Sequence, residues 1–259
     1  MNGDYILSKA RAKEFASLDD AKGRERSGMF VAEGRKCVET LLQAGFRARY
    51  LFADSESGIL EISGCDAILV KKGILRQITR LTATPQVIAF FELPETPAPP
   101  APDVAENGLV LALDRIQDPG NLGTILRTCD WMGIRTVIAS VGTADVFNPK
   151  VVQASMGAVA SVSVYYTDLA EWLKRLPPET PVFGTYLDGK NIYTEPLSGK
   201  GVLVMGNEGR GISEEMTQYI NRKLYIPPFG VEAPASESLN VATATAIALS
   251  QFRQRQFNG

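Results

Sequence analysis

The sequence predicts an α/β protein of two modules, a parallel sheet flanked by helices behind a smaller α/β domain. Three observations predict it. Strand-like and helix-like segments alternate along the chain. The run Leu109-Val110-Leu111-Ala112-Leu113 is apolar throughout, as a parallel strand buried on both faces requires. The stretch Pro94 to Pro102 carries five prolines in nine residues. Proline fixes φ and has no amide proton to donate, so this stretch is a stiff, extended linker. It divides residues 1–93 from residues 105–259, with 94–104 as the connection.

In the first module, Ser8 to Leu18 reads as a helix, followed by a loop, Asp19–Ser27, rich in Lys, Arg and Gly. Met29–Ala32 reads as a short strand and Gly34–Gln43 as a helix ending near Gly45. Arg49–Ala53 and Ala67–Val70 read as strands, Gly73–Thr79 as a short helix and Gln86–Glu92 as a final strand. In the second module, the Leu109–Leu113 strand leads to a helix from about Leu122 to Met132, stopped by Gly133. Then come strand Thr136–Ala139, helix Pro149–Met156, strand Val162–Tyr165, helix Leu169–Leu176, and strands Val182–Tyr186 and Val202–Met205. A helix opens near Ser213, a strand runs Lys223–Ile226, and a last helix runs from about Leu239 to Gln254. Strands alternating with helices make a parallel sheet with right-handed crossovers.

Composition narrows the function. Of 259 residues, 45% are hydrophobic and 22% charged, enough apolar mass for a globular core. No run approaches the ~18–20 apolar residues of a membrane span. Met1 to Ala10 has no apolar core of a secretory signal. Cys37, Cys65 and Cys129 are too widely spaced for a metal pair or a disulfide framework, which suits the reducing cytoplasm. There is no histidine, so there is no Ser-His-Asp triad, Cys-His pair or zincin motif, and no metal site is expected. Acid–base work would fall to carboxylate, Lys, Tyr, Arg, hydroxyl or the substrate itself. The net charge is −2, but residues 1–50 hold ten Lys and Arg against seven acids, which is compatible with a local RNA patch.

Three loops follow strands of the second module, where open α/β sheets bind ligands. The first is Asp114-Arg115-Ile116-Gln117-Asp118-Pro119-Gly120-Asn121-Leu122-Gly123, in which Asn121 can cap a helix that carries Arg127. Six residues on, Arg127 projects to nearly the opposite side from Asn121. The second, Met205-Gly206-Asn207-Glu208-Gly209-Arg210-Gly211-Ile212-Ser213, has glycines that let backbone approach a ligand, with Ser213 as helix cap. It is neither GxGxxG nor a P-loop. The third runs from Ile226-Pro227-Pro228 to Ser238-Leu239-Asn240-Val241, where Ser238 caps a helix lined with small residues.

In this order and spacing the three loops resemble the motifs of the SpoU (TrmH) branch of the SPOUT RNA methyltransferases, over roughly Leu109 to Phe252. The segment Gly28-Met29-Phe30-Val31-Ala32-Glu33-Gly34 and its helix resemble the substrate-recognition domain of many SpoU proteins, a small ribosomal-protein-like fold. The resemblance implies a deep trefoil knot, S-adenosylmethionine as cofactor, methylation of a ribose 2′-hydroxyl in rRNA or tRNA, with rRNA favoured, and a homodimer with the site near its interface. It assigns Asn121, Arg127, Glu208, Ser238 and Asn240 to catalysis, and Met205, Gly206, Ile226 and Leu239 to the cofactor. The loop Phe229–Glu237 departs from the family by being several residues longer. Lys9, Arg11, Lys13, Lys22, Arg24 and Arg26 would face RNA phosphates. The alternatives are a non-catalytic RNA-binding or ribosome-assembly factor that retains the fold, and a nucleotide-dependent enzyme. The full set of motif residues argues against the first, and the lack of a P-loop lysine against the second.

Overall fold

The computed structural model describes residues 5–59, 66–229 and 238–257. Cys65 and most of the long loop 229–237 lie outside the described residues. The chain forms two compact units. One is Met1–Glu95 with Asp145–Ser161; the other is Thr96–Ala144 with Val162–Gly259.

The first unit holds a four-stranded sheet in the order β1-β4-β2-β3. Its strands are β1 (Met29–Glu33), β2 (Ala48–Ala53), β3 (Ile68–Leu69) and β4 (Val87–Glu92). β4 runs antiparallel to both β1 and β2, and β3 pairs parallel with β2. The helices are α1 (Lys9–Ala16), α2 (Ala21–Ser27), α3 (Arg35–Gln43), α4 (Lys72–Ile78) and, from the later segment, α7 (Pro149–Ser155). The strand period of two sends Met29, Val31, Ile88 and Phe90 to one face, where they meet Phe15, Leu18 and Leu75. Phe30 and Phe91 face the other way, and Phe30 meets Phe147 with ring centroids 4.7 Å apart. This is the small α/β sandwich the alternation predicts.

The segment Asp19–Ser27, expected as a loop, is mostly the helix α2. Asp20 caps it by accepting from the Gly23 amide at 2.7 Å, and Gly28 ends it at φ 63°. Gly23 is required because a Cβ there would lie 1.7 Å from the Ser17 carbonyl oxygen. The helix also corrects the reading of Arg24, which is 2% exposed. Its guanidinium donates to the Leu18 carbonyl at 2.7 Å and to Asp145 at 2.9 Å, so it is held inside the unit and is not offered to phosphates. Lys9, Lys13, Lys22 and Arg26 are exposed. Arg11 is half-buried, bonded to Glu14 and lying 4.4 Å from the Tyr50 ring centroid.

The second unit is a six-stranded, all-parallel sheet in the order β10-β8-β9-β5-β6-β7. After the short α5 (Val104–Asn107) come β5 (Leu109–Leu113), α6 (Pro119–Trp131) and β6 (Thr136–Ser140). They are followed by β7 (Ser163–Thr167), α8 (Leu169–Lys174), β8 (Val182–Asn191), β9 (Gly201–Met205), α9 (Glu214–Thr217), β10 (Arg222–Tyr225) and α10 (Val241–Phe257). Every residue of β5 and β9 is buried, as their apolar runs demand. β8 outruns its expected end at Tyr186. Asp188-Gly189-Lys190-Asn191 has turn chemistry, yet Lys190 and Asn191 pair with Leu224 and Tyr225 of β10. Gly189 allows this approach, because a Cβ there would lie 2.4 Å from the Leu224 carbonyl carbon. The proline-rich stretch takes neither helix nor strand, and its Pro100 carbonyl accepts from the buried Trp172 indole at 2.9 Å.

Candidate active site

The three loops at the carboxyl ends of β5, β9 and β10 are joined by hydrogen bonds between residues far apart in sequence. In the first, Asp118 rather than Asn121 caps α6, accepting from the Asn121 amide at 2.7 Å, with Pro119 opening the helix. The cap role being filled, the Asn121 side chain is free for other bonds. Its Nδ2 donates to Glu208 Oε1 at 2.9 Å, and its Oδ1 accepts from Asn240 Nδ2 at 2.9 Å. One residue from each loop thus forms a continuous chain.

The second loop is shaped by Gly206 and Asn207. A Cβ on Gly206 would lie 2.2 Å from the Gly211 carbonyl carbon and the Ile212 nitrogen, so only glycine fits. Asn207 and Gly211 exchange backbone bonds at 3.0 and 2.9 Å. The Asn207 side chain accepts from the Gly209 and Arg210 amides and donates to the Arg115 carbonyl at 2.8 Å. Asp114, 2% exposed, accepts from the Ser213 amide at 2.8 Å. Both ends of the glycine loop are therefore pinned to the dipeptide Asp114-Arg115. Ser213 stands at the N-terminus of α9 but makes no side-chain cap bond.

In the third loop the capping residue is Asn240, not Ser238. Its Oδ1 accepts from the Ala242 and Thr243 amides at 3.0 and 3.3 Å, and α10 starts at Val241. Ser238 is exposed just before it.

The second and third loops, with β8, enclose a hollow of about 400 Å³, lined among others by Met205, Gly206, Glu208, Ile226, Ser238 and Leu239. That volume falls in the ~300–1,000 Å³ range of small-molecule sites. The donor set fits S-adenosylmethionine. Apolar Met205, Ile226 and Leu239 suit its adenosine, the glycine backbone permits close approach, and the Glu208 carboxylate suits its positive sulfonium. Asn121 and Asn240 reach the hollow through Glu208. Arg127 does not line it; it is exposed on α6 and, among the described residues, makes no ion pair or side-chain hydrogen bond.

The sequence reading assigned no role to Asn207, Asp114, Thr185 or Tyr186. The last two line the hollow from β8. Tyr186 bonds Thr217 Oγ1 at 2.9 Å, and burial raises its phenol above the usual range, so it stays protonated at neutral pH and is no base. Asp114 had one signal, a carboxylate directly after an all-apolar strand. Among the described residues, no three His, Cys, Asp or Glu are placed to hold a metal ion, and no helix is long and apolar enough to cross a membrane.

Comparison with known proteins identifies the family. Residues 108–250 match the SpoU rRNA Methylase family, and residues 9–89 match the MRM3-like substrate binding domain. A 23S rRNA (guanosine(2553)-2′-O)-methyltransferase of Bacillus subtilis is 31% identical over 248 residues, covering 94% of this chain and 96% of that protein. A TrmH-family protein of Porphyromonas gingivalis superposes with a TM-score of 0.83 at 41% identity, covering 97% of this chain and 100% of that one. An AdoMet-bound rRNA methyltransferase from Sinorhizobium meliloti superposes with a TM-score of 0.81 at 28% identity, covering 96% and 97%. The SpoU methyltransferase AviRb of Streptomyces viridochromogenes, solved with AdoMet, gives 0.81 at 25%, covering 97% and 100%. With the family model covering more than half its length and the three loops joined through Asn121, Glu208 and Asn240, this chain belongs to the SpoU family of rRNA methylases.

Proposed function

We propose that this SpoU enzyme methylates a ribose 2′-hydroxyl of structured ribosomal RNA, using the hollow walled by the second and third loops for S-adenosylmethionine. The observation that carries this reading is the Asn240–Asn121–Glu208 chain beside a glycine-walled hollow. The bound cofactor supplies a methyl group on a sulfonium. The protein's task is then to position the acceptor in line and stabilise its developing alkoxide. Gly206, Ile226 and Leu239 hold the cofactor, and Asn121 and Asn240 fix the Glu208 carboxylate beside it. Arg127 grips an RNA phosphate and the developing alkoxide with its planar fork. The proton leaves through that phosphate, Ser238 or water.

The enzyme acts as a homodimer in the cytoplasm. Supporting the dimer, Arg127 lies outside its own hollow, and Trp131, one turn further along α6, is 88% exposed. The threading is read as a trefoil knot, as in the family. The first unit binds the RNA, with Lys9, Arg11, Lys22 and Arg26 turned to phosphates.

The test is incubation of the purified protein with methyl-labelled S-adenosylmethionine and unmodified ribosomal RNA. Label on a ribose 2′-oxygen is expected. Tight cofactor binding in calorimetry without any transfer to RNA would overturn the reading in favour of a non-catalytic factor.

A further inference from the structure

A second hollow, about 240 Å³, opens at the carboxyl ends of β5, β6 and β7. Residues 206–212 line the first hollow and Glu215 and Met216 the second, so one segment of chain borders both. Its floor carries buried Asp114 and Ser140, 2% and 7% exposed. Its rim carries Arg115, Asp168 and Glu215, and the apolar Val141, which is 76% exposed.

Arg115 is the unusual member. Its φ is 56°, a left-handed conformation that glycine adopts freely and L side chains rarely do. Its amide donates to Ser140 Oγ and its carbonyl accepts from Asn207, both at 2.8 Å. Glycine would serve both bonds, so what arginine adds is its side chain. That side chain is 45% exposed and bonds Asp114 only through Nε, at 3.2 Å. Among the described residues, both Nη groups have no partner.

The surroundings select the ligand. Asp114, Asp168 and Glu215 would repel a phosphate. Exposed carboxylates accept hydrogen bonds, the guanidinium donates two in parallel, and Val141 offers an apolar ledge to a flat ring. Guanine carries paired acceptors, O6 and N7, on one edge and N1–H and N2–H donors on the next. Unstacked RNA bases are read in this way.

We infer that this hollow receives a guanine base of the RNA near the acceptor ribose, with Arg115 on O6 and N7 and Glu215 on the amino edge. The inference rests on the function proposed above. Arg115 reads the base and takes no part in methyl transfer.

The test measures methyl transfer to an unmodified ribosomal RNA transcript by the full chain and by Arg115→Gly, Arg115→Lys and Glu215→Gln. Each variant should raise KM about ten-fold, with kcat within about two-fold and cofactor affinity unchanged. The salt dependence of RNA binding should keep its slope. Guanosine monophosphate should compete with the transcript on the unaltered enzyme and lose that ability on Arg115→Gly, while uridine monophosphate competes with neither. If Arg115→Gly folds poorly, Glu215→Gln and the nucleotide competition decide. Unchanged KM in the variants overturns the inference, as does a salt slope lowered by about one, which would make Arg115 a phosphate contact. No transfer by the unaltered enzyme would instead defeat the proposed function, and guanosine monophosphate binding by calorimetry would then test the hollow separately.

Discussion

The two units bury their sheets with different side chains. In the first, Phe15, Phe30, Phe52, Phe90 and Phe91 are fully buried, and Phe15 stacks on Phe90 with centroids 3.7 Å apart. In the second, the central strands β5 and β9 contribute Val, Leu, Ala and Met, and the buried rings come from outside them, Trp172, Phe183 and Phe252. A four-stranded sheet covered by helices of seven to nine residues has few positions with which to fill its core, and large rings take several of them. A six-stranded parallel sheet has many positions, and small branched side chains pack its two faces. The polar groups divide likewise. In the second unit they are spent on bonds between loops; in the first, Lys9, Lys22 and Arg26 stay exposed. Damage to the second unit should therefore remove cofactor binding and chemistry, and damage to the first should remove RNA affinity.

The sharpest break of that division is Gly206→Ala. Its methyl group would meet backbone at 2.2 Å, so cofactor binding should fall below detection in calorimetry while RNA binding persists. Next, Arg127→Ala should lower kcat by about 10²–10³-fold with cofactor affinity intact, and Arg127→Lys should recover little because the fork is lost. Near-normal turnover in the lysine variant would remove the clamp. Phe90→Ala should cost about 3–5 kcal/mol in urea unfolding, since a ring in a tight stack leaves a cavity. A drop under 1 kcal/mol would mean the ring core is not what holds the first unit.

A smaller contrast separates three neighbouring cations. Neutralising Lys22 and Arg26 should lower the salt slope of RNA binding by up to about two with little change in stability. Arg24→Ala should do the reverse, destabilising by about 2 kcal/mol with the slope intact. The smallest effect is alkaline. Burial pushes the Cys37 thiol up to about 11, and it raises Cys129 as well. A raised folded pKa means the unfolded thiol ionises first, so stability is full below about pH 9 and falls as pH rises toward 11. The urea midpoint should decline over that window, and less steeply in Cys37→Ala.

What the sequence displayed was what local pattern controls. Leu109–Leu113 is legible because burial on both faces leaves no polar position, and it is β5 residue for residue. The α2 helix was hidden because Lys, Arg and Gly resemble a loop, and Gly23 is explained only by the close pass of Ser17. Arg24 looked like a surface cation because its partner, Asp145, lies 121 residues away. Capping was misassigned twice, Asn121 for Asp118 and Ser238 for Asn240, because each loop offers two competent side chains a few residues apart. Asp114 and Asn207 act through bonds to Ser213 and Arg115, spanning 99 and 92 positions, which no periodicity encodes.

One feature of the first unit bears on any rearrangement of the gene. Residues Asp145–Ser161 belong to it although the sheet of the second unit encloses them in sequence. Val151 and Val152 on α7 are buried, and Cys37 Sγ lies 3.9 Å from the Val152 carbonyl oxygen. A chimaera that trades only the first 95 residues with a relative would leave this helix facing a foreign surface, so a working graft must carry two separate pieces of coding sequence together.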